Sequence, residues 1–198
     1  LINDEYDHEK WRIAMEACEE AIDIAHQASH SLYQFVNLYY DLSEETYRIL
    51  TLRNAFAKKW NEEVIWGFSN GTYNALQRHS MPHFTHEQMM YLTTYPELGP
   101  PIHIAEQFYS ENGVPINEDK NYDYNNRFKT KRAPSDQKYY VEDGFETAIL
   151  NLNREPRYYS SIAFDGAVWF GNGRYKDIGK GNENEVSWIV RNKIGDPS

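Results

Sequence analysis

Four residues in one run carry the densest charge in the chain: Arg154-Glu155-Pro156-Arg157 places a carboxylate between two guanidinium groups. General acid work needs a carboxyl that keeps its proton near neutral pH, and flanking cations favour the ionised form. The run therefore reads as a structural ion pair. His79, His83 and His86 are spaced by four and three, which on a helix would align imidazoles for zinc, but Pro82 interrupts any such helix. Asp119, Asn121 and Asp123 alternate as in a calcium loop, yet the sixth position is Tyr124 and the twelfth Thr130, where an EF-hand needs Gly and Glu. No cofactor is expected, with an irregular structural calcium at this run left open. A glycoside hydrolase would need two carboxylates about 5.5 Å apart, or roughly 6.5–9.5 Å for inversion. Glu62/Glu63, Glu118/Asp119 and Glu142/Asp143 are candidate pairs. Neighbours on a strand point to opposite faces, which discards Glu62/Glu63, and nothing singles out another pair. Tyr73 lies among Asn70, Asn74, Gln77, Arg78 and His79, a mix of ring, amide and charge suited to sugar hydroxyls. No catalytic residue is assigned, and the chain is read as a non-enzyme.

Composition narrows the partners. Twenty Lys and Arg against 30 Asp and Glu give a net charge of −10 over 198 residues. A nucleic-acid binder needs the opposite balance to displace counterions, so nucleic acid is excluded. Lys129, Lys131 and Arg132 are too few to reverse this and read as a solvated loop. The mean hydropathy is −0.79, and no apolar run approaches a membrane span. The single Cys18 allows no internal disulfide and falls in a stripe of small residues, where a core position is expected. Sixteen Tyr, 5 Trp and 9 Phe are many rings for so hydrophilic a chain. They suit either a carbohydrate-binding surface or a tyrosine-rich core.

The elements that must position these groups follow from pattern. Residues 7–28 form a helix capped by Asp7, with Ala14, Ala17, Cys18, Ala21 and Ala25 leaving room for another helix. Ser43 opens a second helix over residues 43–60, with Leu50, Ala57 and Trp60 as its stripe. Residues 63–68 read as a strand that carries Trp66, and residues 70–79 as a loop. A short helix is expected at 85–91. Another starts after Gly99-Pro100-Pro101, with Ile104, Ala105, Phe108 and Tyr109 on its face and Gly113 at its end. Residues 112–140 are polar and irregular, which calls for a ligand or a neighbour to pin them. A hairpin is predicted over 157–170: strand 157–164, a type I′ turn at Asp165-Gly166, and a return strand that carries Trp169 in its core face. A last strand covers 187–191. The division is a helical part, 1–62, and an irregular α+β part, 63–198.

Several of these stretches resemble one family. Phe108-Tyr109-Ser110-Glu111-Asn112-Gly113-Val114-Pro115-Ile116-Asn117-Glu118-Asp119 is similar to the "F-Y-x-x-N-G-x-P-I-x-x-D" stretch of the SusD/RagB-like glycan-binding lipoproteins of Bacteroidetes. Asn153-Arg154-Glu155-Pro156-Arg157-Tyr158-Tyr159-Ser160-Ser161-Ile162 resembles their "N-R-E-P-R-F-Y-A-S-I" motif. The first helix and Glu63-Val64-Ile65-Trp66 match in the same order. Gly99-Pro100-Pro101 departs from the family's usual Pro-Thr, which changes a cap. Family members are more than twice as long, so the chain reads as an internal piece, and Leu1 as a processed end.

The resemblance implies a mainly α fold of tetratricopeptide-like helices with an irregular, loop-rich subdomain and a small antiparallel sheet. It implies capture of oligosaccharides or polysaccharides at the outer-membrane surface and delivery to a SusC-like TonB-dependent transporter, without catalysis. The membrane contact would run through a lipidated N-terminal Cys that is absent from this chain. Family ligand contacts come from variable loops, including the one that follows strand 63–68. The binding-site expectation is therefore Tyr73, Asn74, Arg78 and His79, with Arg154, Glu155, Pro156, Arg157, Asp165, Gly166 and Trp169 structural. A tetratricopeptide scaffold for peptides is the alternative.

Overall fold

The computed structural model describes residues 6–36, 42–67, 74–83, 97–170 and 187–190. Helix α1, His8–Gln27, starts where the Asp7 carboxylate accepts hydrogen bonds from the Glu9 and Lys10 N–H groups, as an N-cap should. None of its residues is buried, and Trp11 is 64% exposed. Cys18 is exposed as well, not in a core. The small-residue face is present, but no described element covers it.

Helix α2, Glu44–Ala57, is capped by Ser43, whose Oγ accepts from the Thr46 N–H at 3.2 Å. Thr46, Ile49 and Leu50 are buried, while Ala57 and Trp60 of the expected stripe are exposed. Asn61 closes the helix. Its Nδ2 donates to the carbonyls of Ala55 and Lys58 at 2.8 and 3.0 Å, and its Oδ1 accepts from the Glu63 N–H. That turn replaces the strand expected at 63–68: residues 61–67 are turns and bends, and Trp66 is 92% exposed. An isolated strand leaves its backbone groups unpaired, and no described strand lies alongside.

Helix α3 is Asn74–Ser80 and α4 is Ile102–Gln107. The latter begins after Pro101 and buries Ala105, as expected. It ends at Gln107, before Gly113, which instead takes a φ of +71° inside the turn from Ser110 to Val114. The irregular stretch that follows holds strand β1, Thr130–Arg132, paired antiparallel with β2, Glu146–Ala148, in the register Thr130↔Ala148. Lys131 and Arg132 are exposed on β1. Ile116, Val141 and Val190 are almost wholly buried and mark the core.

The predicted hairpin is half right. Val168–Phe170 is a strand, β3, but its antiparallel partner is β4, Ser187–Ile189. Residues Pro156–Ser161 are helix α5, with Pro156 in its first turn. Proline suits that position because the missing N–H has no partner to lose. The helical turn sends Tyr158 and Tyr159 inward to 1% and 4% exposure, and burial raises both phenol pKa values. α2 packs on α5. Asp165-Gly166 does form a turn, closed by the Ala167 N–H to the Phe164 carbonyl at 3.0 Å. Only Gly166 has positive φ, +87°, so this is not the type I′ turn, which needs positive φ at both central residues.

Arg154 ties these pieces together. It is 2% exposed. Its Nη1 donates to the Leu150 carbonyl at 2.7 Å, Nη2 to Ala105 and Phe108 at 2.6 and 2.7 Å, and Nε to Tyr109 at 3.3 Å. Two of those carbonyls sit at the C-terminal end of α4, where a cation is favoured by the helix dipole. The expected Glu155 with two arginine partners is therefore half right. Glu155 pairs with Arg157 at 2.6 Å and accepts the Tyr109 N–H at 2.8 Å, while Arg154 points elsewhere. In extended chain, successive side chains take opposite sides.

Replacing Arg154 with Met keeps bulk but strands buried carbonyls. We expect Arg154→Met to cost on the order of 3 kcal/mol and to lower Tm by roughly 6–12 °C in calorimetry. An unchanged Tm would show that other donors replace the guanidinium. A Cβ at Gly166 would stand 2.2 Å from the Phe145 ring, whereas at Gly144, φ +72°, it meets nothing within 4 Å. Gly144→Ala should cost only left-handed strain, about 1–2 kcal/mol. Gly166→Ala should cost clearly more in the same denaturant titration.

Candidate functional site

The expected binding residues fall on different ground than a loop. Tyr73 lies outside the described residues, as do the helix expected at 85–91 and His86. Asn74, Arg78 and His79 belong to α3, not to a loop. Ala75, Leu76, Gln77 and Arg78 are all good helix formers, and that local preference wins over the polar character of the segment. Arg78 is exposed on this helix. His79 is fixed to a distant segment: its Nδ1 lies 2.8 Å from Glu97 Oε2, and its carbonyl accepts the N–H groups of Glu97 and Leu98.

This contact brings residues 80–82, at the end of α3, opposite residues 98–100. A third wall comes from residues 161–163 and Trp169. Together they bound a cleft of about 450 Å³, a size typical of small-molecule sites. Ser80 Oγ donates to the Leu76 carbonyl at 2.7 Å, so its hydroxyl is tied to the helix rather than to His79. No lining side chain is titratable. The arrangement can hold a ligand; its described residues offer no nucleophile paired with a base.

Sequence reasoning missed this cleft and the residue behind it. Arg53, on α2, lays its guanidinium 3.6 Å from the centroid of the Trp169 ring. It donates to the carbonyls of Ser160 and Tyr159 at 3.3 and 3.4 Å, at the C-terminal end of α5. Burial lowers its pKa to about 10, so it stays charged at neutral pH. No described carboxylate pairs with it. Trp169, expected in a hairpin core, is instead the half-buried wall between this cation and the cleft. A lone arginine mid-helix carries no motif, so no sequence signal marked it.

The residues considered for calcium are engaged with the chain itself. Asp119 Oδ2 accepts from Ser110 Oγ and Asn112 Nδ2, and Oδ1 accepts from the Asn121 N–H at 2.8 Å. Asp123 accepts from Asn126 Nδ2. Among the described residues, no three His, Cys, Asp or Glu side chains converge as metal ligands would. The hydrogen bond from Ser110, with those from Asn112 and Asn121, lowers the Asp119 pKa. A carboxyl with a lowered folded-state pKa adds stability above its unfolded value, near 4, and loses it as pH falls through the folded value. Asp119→Asn should therefore flatten the loss of stability below about pH 4 in urea titrations. An acid limb as steep as the wild type's would assign acid sensitivity to other carboxyls.

Comparison with known proteins supplies the context for this geometry. The model of the SusD family matches residues 62–195. Two solved structures, BT4246 and its selenomethionine form, superpose on 87% of the chain with a TM-score of 0.61 at 24% identity. This chain spans 32% and 31% of those chains, and the likeness is one of fold. No curated protein matches. Among the described residues no helix is long and apolar enough to cross a membrane. With the family match running through α3, the cleft, the Asp119 turn and the Arg154–Arg157 motif, the chain belongs to the SusD family.

Proposed function

We propose that the protein captures glycans at the outer-membrane surface and hands them to a SusC-like TonB-dependent transporter, without chemical conversion. The family in general serves nutrient uptake as a set of non-catalytic, glycan-binding proteins. The observation that carries the reading to this chain is the cleft beside α3, open, ring-walled and free of titratable lining groups. Tyr73, Asn74, Arg78 and His79 are proposed to contact the ligand at its rim, and a lipid anchor on the whole protein to hold it at the cell surface.

The peptide-scaffold alternative has one observation in its favour. A groove of about 360 Å³ runs beside α1, lined mainly by apolar groups such as Ile22, Leu32 and Ile65. Glycan and peptide arrays probed with the same protein separate the two readings, with glycans expected to bind. Truncating a stacking ring of this kind removes about 2 kcal/mol, so Tyr73→Ala should weaken glycan binding roughly thirtyfold in calorimetry. Peptide binding alone would reverse the order of the readings. Turnover of a polysaccharide, abolished by one carboxylate substitution, would make the protein an enzyme.

A further inference from the structure

We infer that the cleft between α3 and α5 selects a neutral sugar ring and rejects uronate- or sulfate-bearing glycans. The inference rests on the glycan reading above and narrows it. Ser80, Ser161, Ile162 and Trp169 are among the lining side chains, and neither an acid nor a base joins them. A carboxylate or sulfate in such a place would leave water without a partner charge.

The nearest buried cation does not change this. Arg53 is close to Trp169, but its donors point to the carbonyls of α5, and the indole ring stands between it and the cleft. Other described arginines are committed too: Arg127 to Glu106, Arg157 to Glu155, and Arg154 to carbonyls. The net charge of −10 acts in the same direction at long range, since it repels a polyanion before contact. What remains is an apolar, ring-bearing wall with two serine hydroxyls at its edge. That surface suits the C–H face and the hydroxyls of an uncharged pyranose.

The test uses positions where bulk can be added without disturbing the fold. A Cβ at Gly99 meets nothing within 4 Å, and Ser161 is exposed on the opposite wall. Gly99→Leu and Ser161→Leu are compared with the wild-type chain, each first checked for an unchanged melting temperature. Probes are neutral oligosaccharides from starch, xylan and mannan, with polygalacturonate and chondroitin sulfate oligosaccharides as acidic counterparts. The expected result is binding of a neutral probe, loss of about tenfold or more in affinity in both variants, and no binding of the acidic set. If a neutral probe binds and both variants bind it unchanged, the cleft is not the site, while the glycan reading stands. Preference for an acidic probe overturns the selectivity. If no glycan binds the wild type at all, the glycan reading fails and this inference with it.

Discussion

A guanidinium group removed from water must have its donors satisfied, or the protein cannot keep it there. Arg154 meets that demand with uncharged oxygens alone: the carbonyls of Ala105, Phe108, Tyr109 and Leu150. Satisfying one side chain thus fixes the end of α4, the entry to the irregular stretch and its exit. The pentapeptide around it supplies the remaining joints. Asn153 takes a left-handed φ of +55° and exchanges hydrogen bonds with Gln137. Glu155 accepts the Tyr109 N–H, and Pro156 opens α5. Arg53 repeats the device at the other end of α5. Each of these short helices therefore ends on a buried cation rather than on water.

The irregular half needs such joints because regular ladders are few. β1 and β2 pair over three residues each, as do β3 and β4. Between them, order comes from side chains that bond to backbone. Asp119 gathers Ser110, Asn112 and Asn121, and Tyr122 Oη donates to the Ile149 carbonyl at 3.1 Å. This accounts for a long stretch without periodicity that nevertheless buries Ile116 and Val141.

Where local chemistry decides structure, the sequence was legible. Asp7 and Ser43 cap helices as their side chains dictate, Pro101 precedes α4, and the family motifs mark the segments that Asp119 and Arg154 organise. Where long-range packing decides, it was not. Arg157-Tyr158-Tyr159 has strand-forming rings, yet Pro156 starts a helix and burial of both tyrosines holds it. Val64-Ile65-Trp66 has strand composition without a partner strand. The polar residues of α3 suggested a loop because amide and charge signal ligands more loudly than helix propensity does. The cleft had no sequence signature, since its walls are contributed by three segments far apart in the chain and by backbone as much as side chain.

The reach of Arg154 also sets an order of events during synthesis. Its partners Ala105 and Phe108 lie 49 and 46 residues upstream. Helix α4, six residues long, is too short to persist alone in water. A ribosome adding roughly 5–20 residues per second therefore exposes α4 and the stretch after it for several seconds before the arginine that secures them is made. The irregular half gains its order late and together, from its C-terminal side, and a nascent chain stalled before residue 154 holds the sequence of α4 without the means to keep it helical.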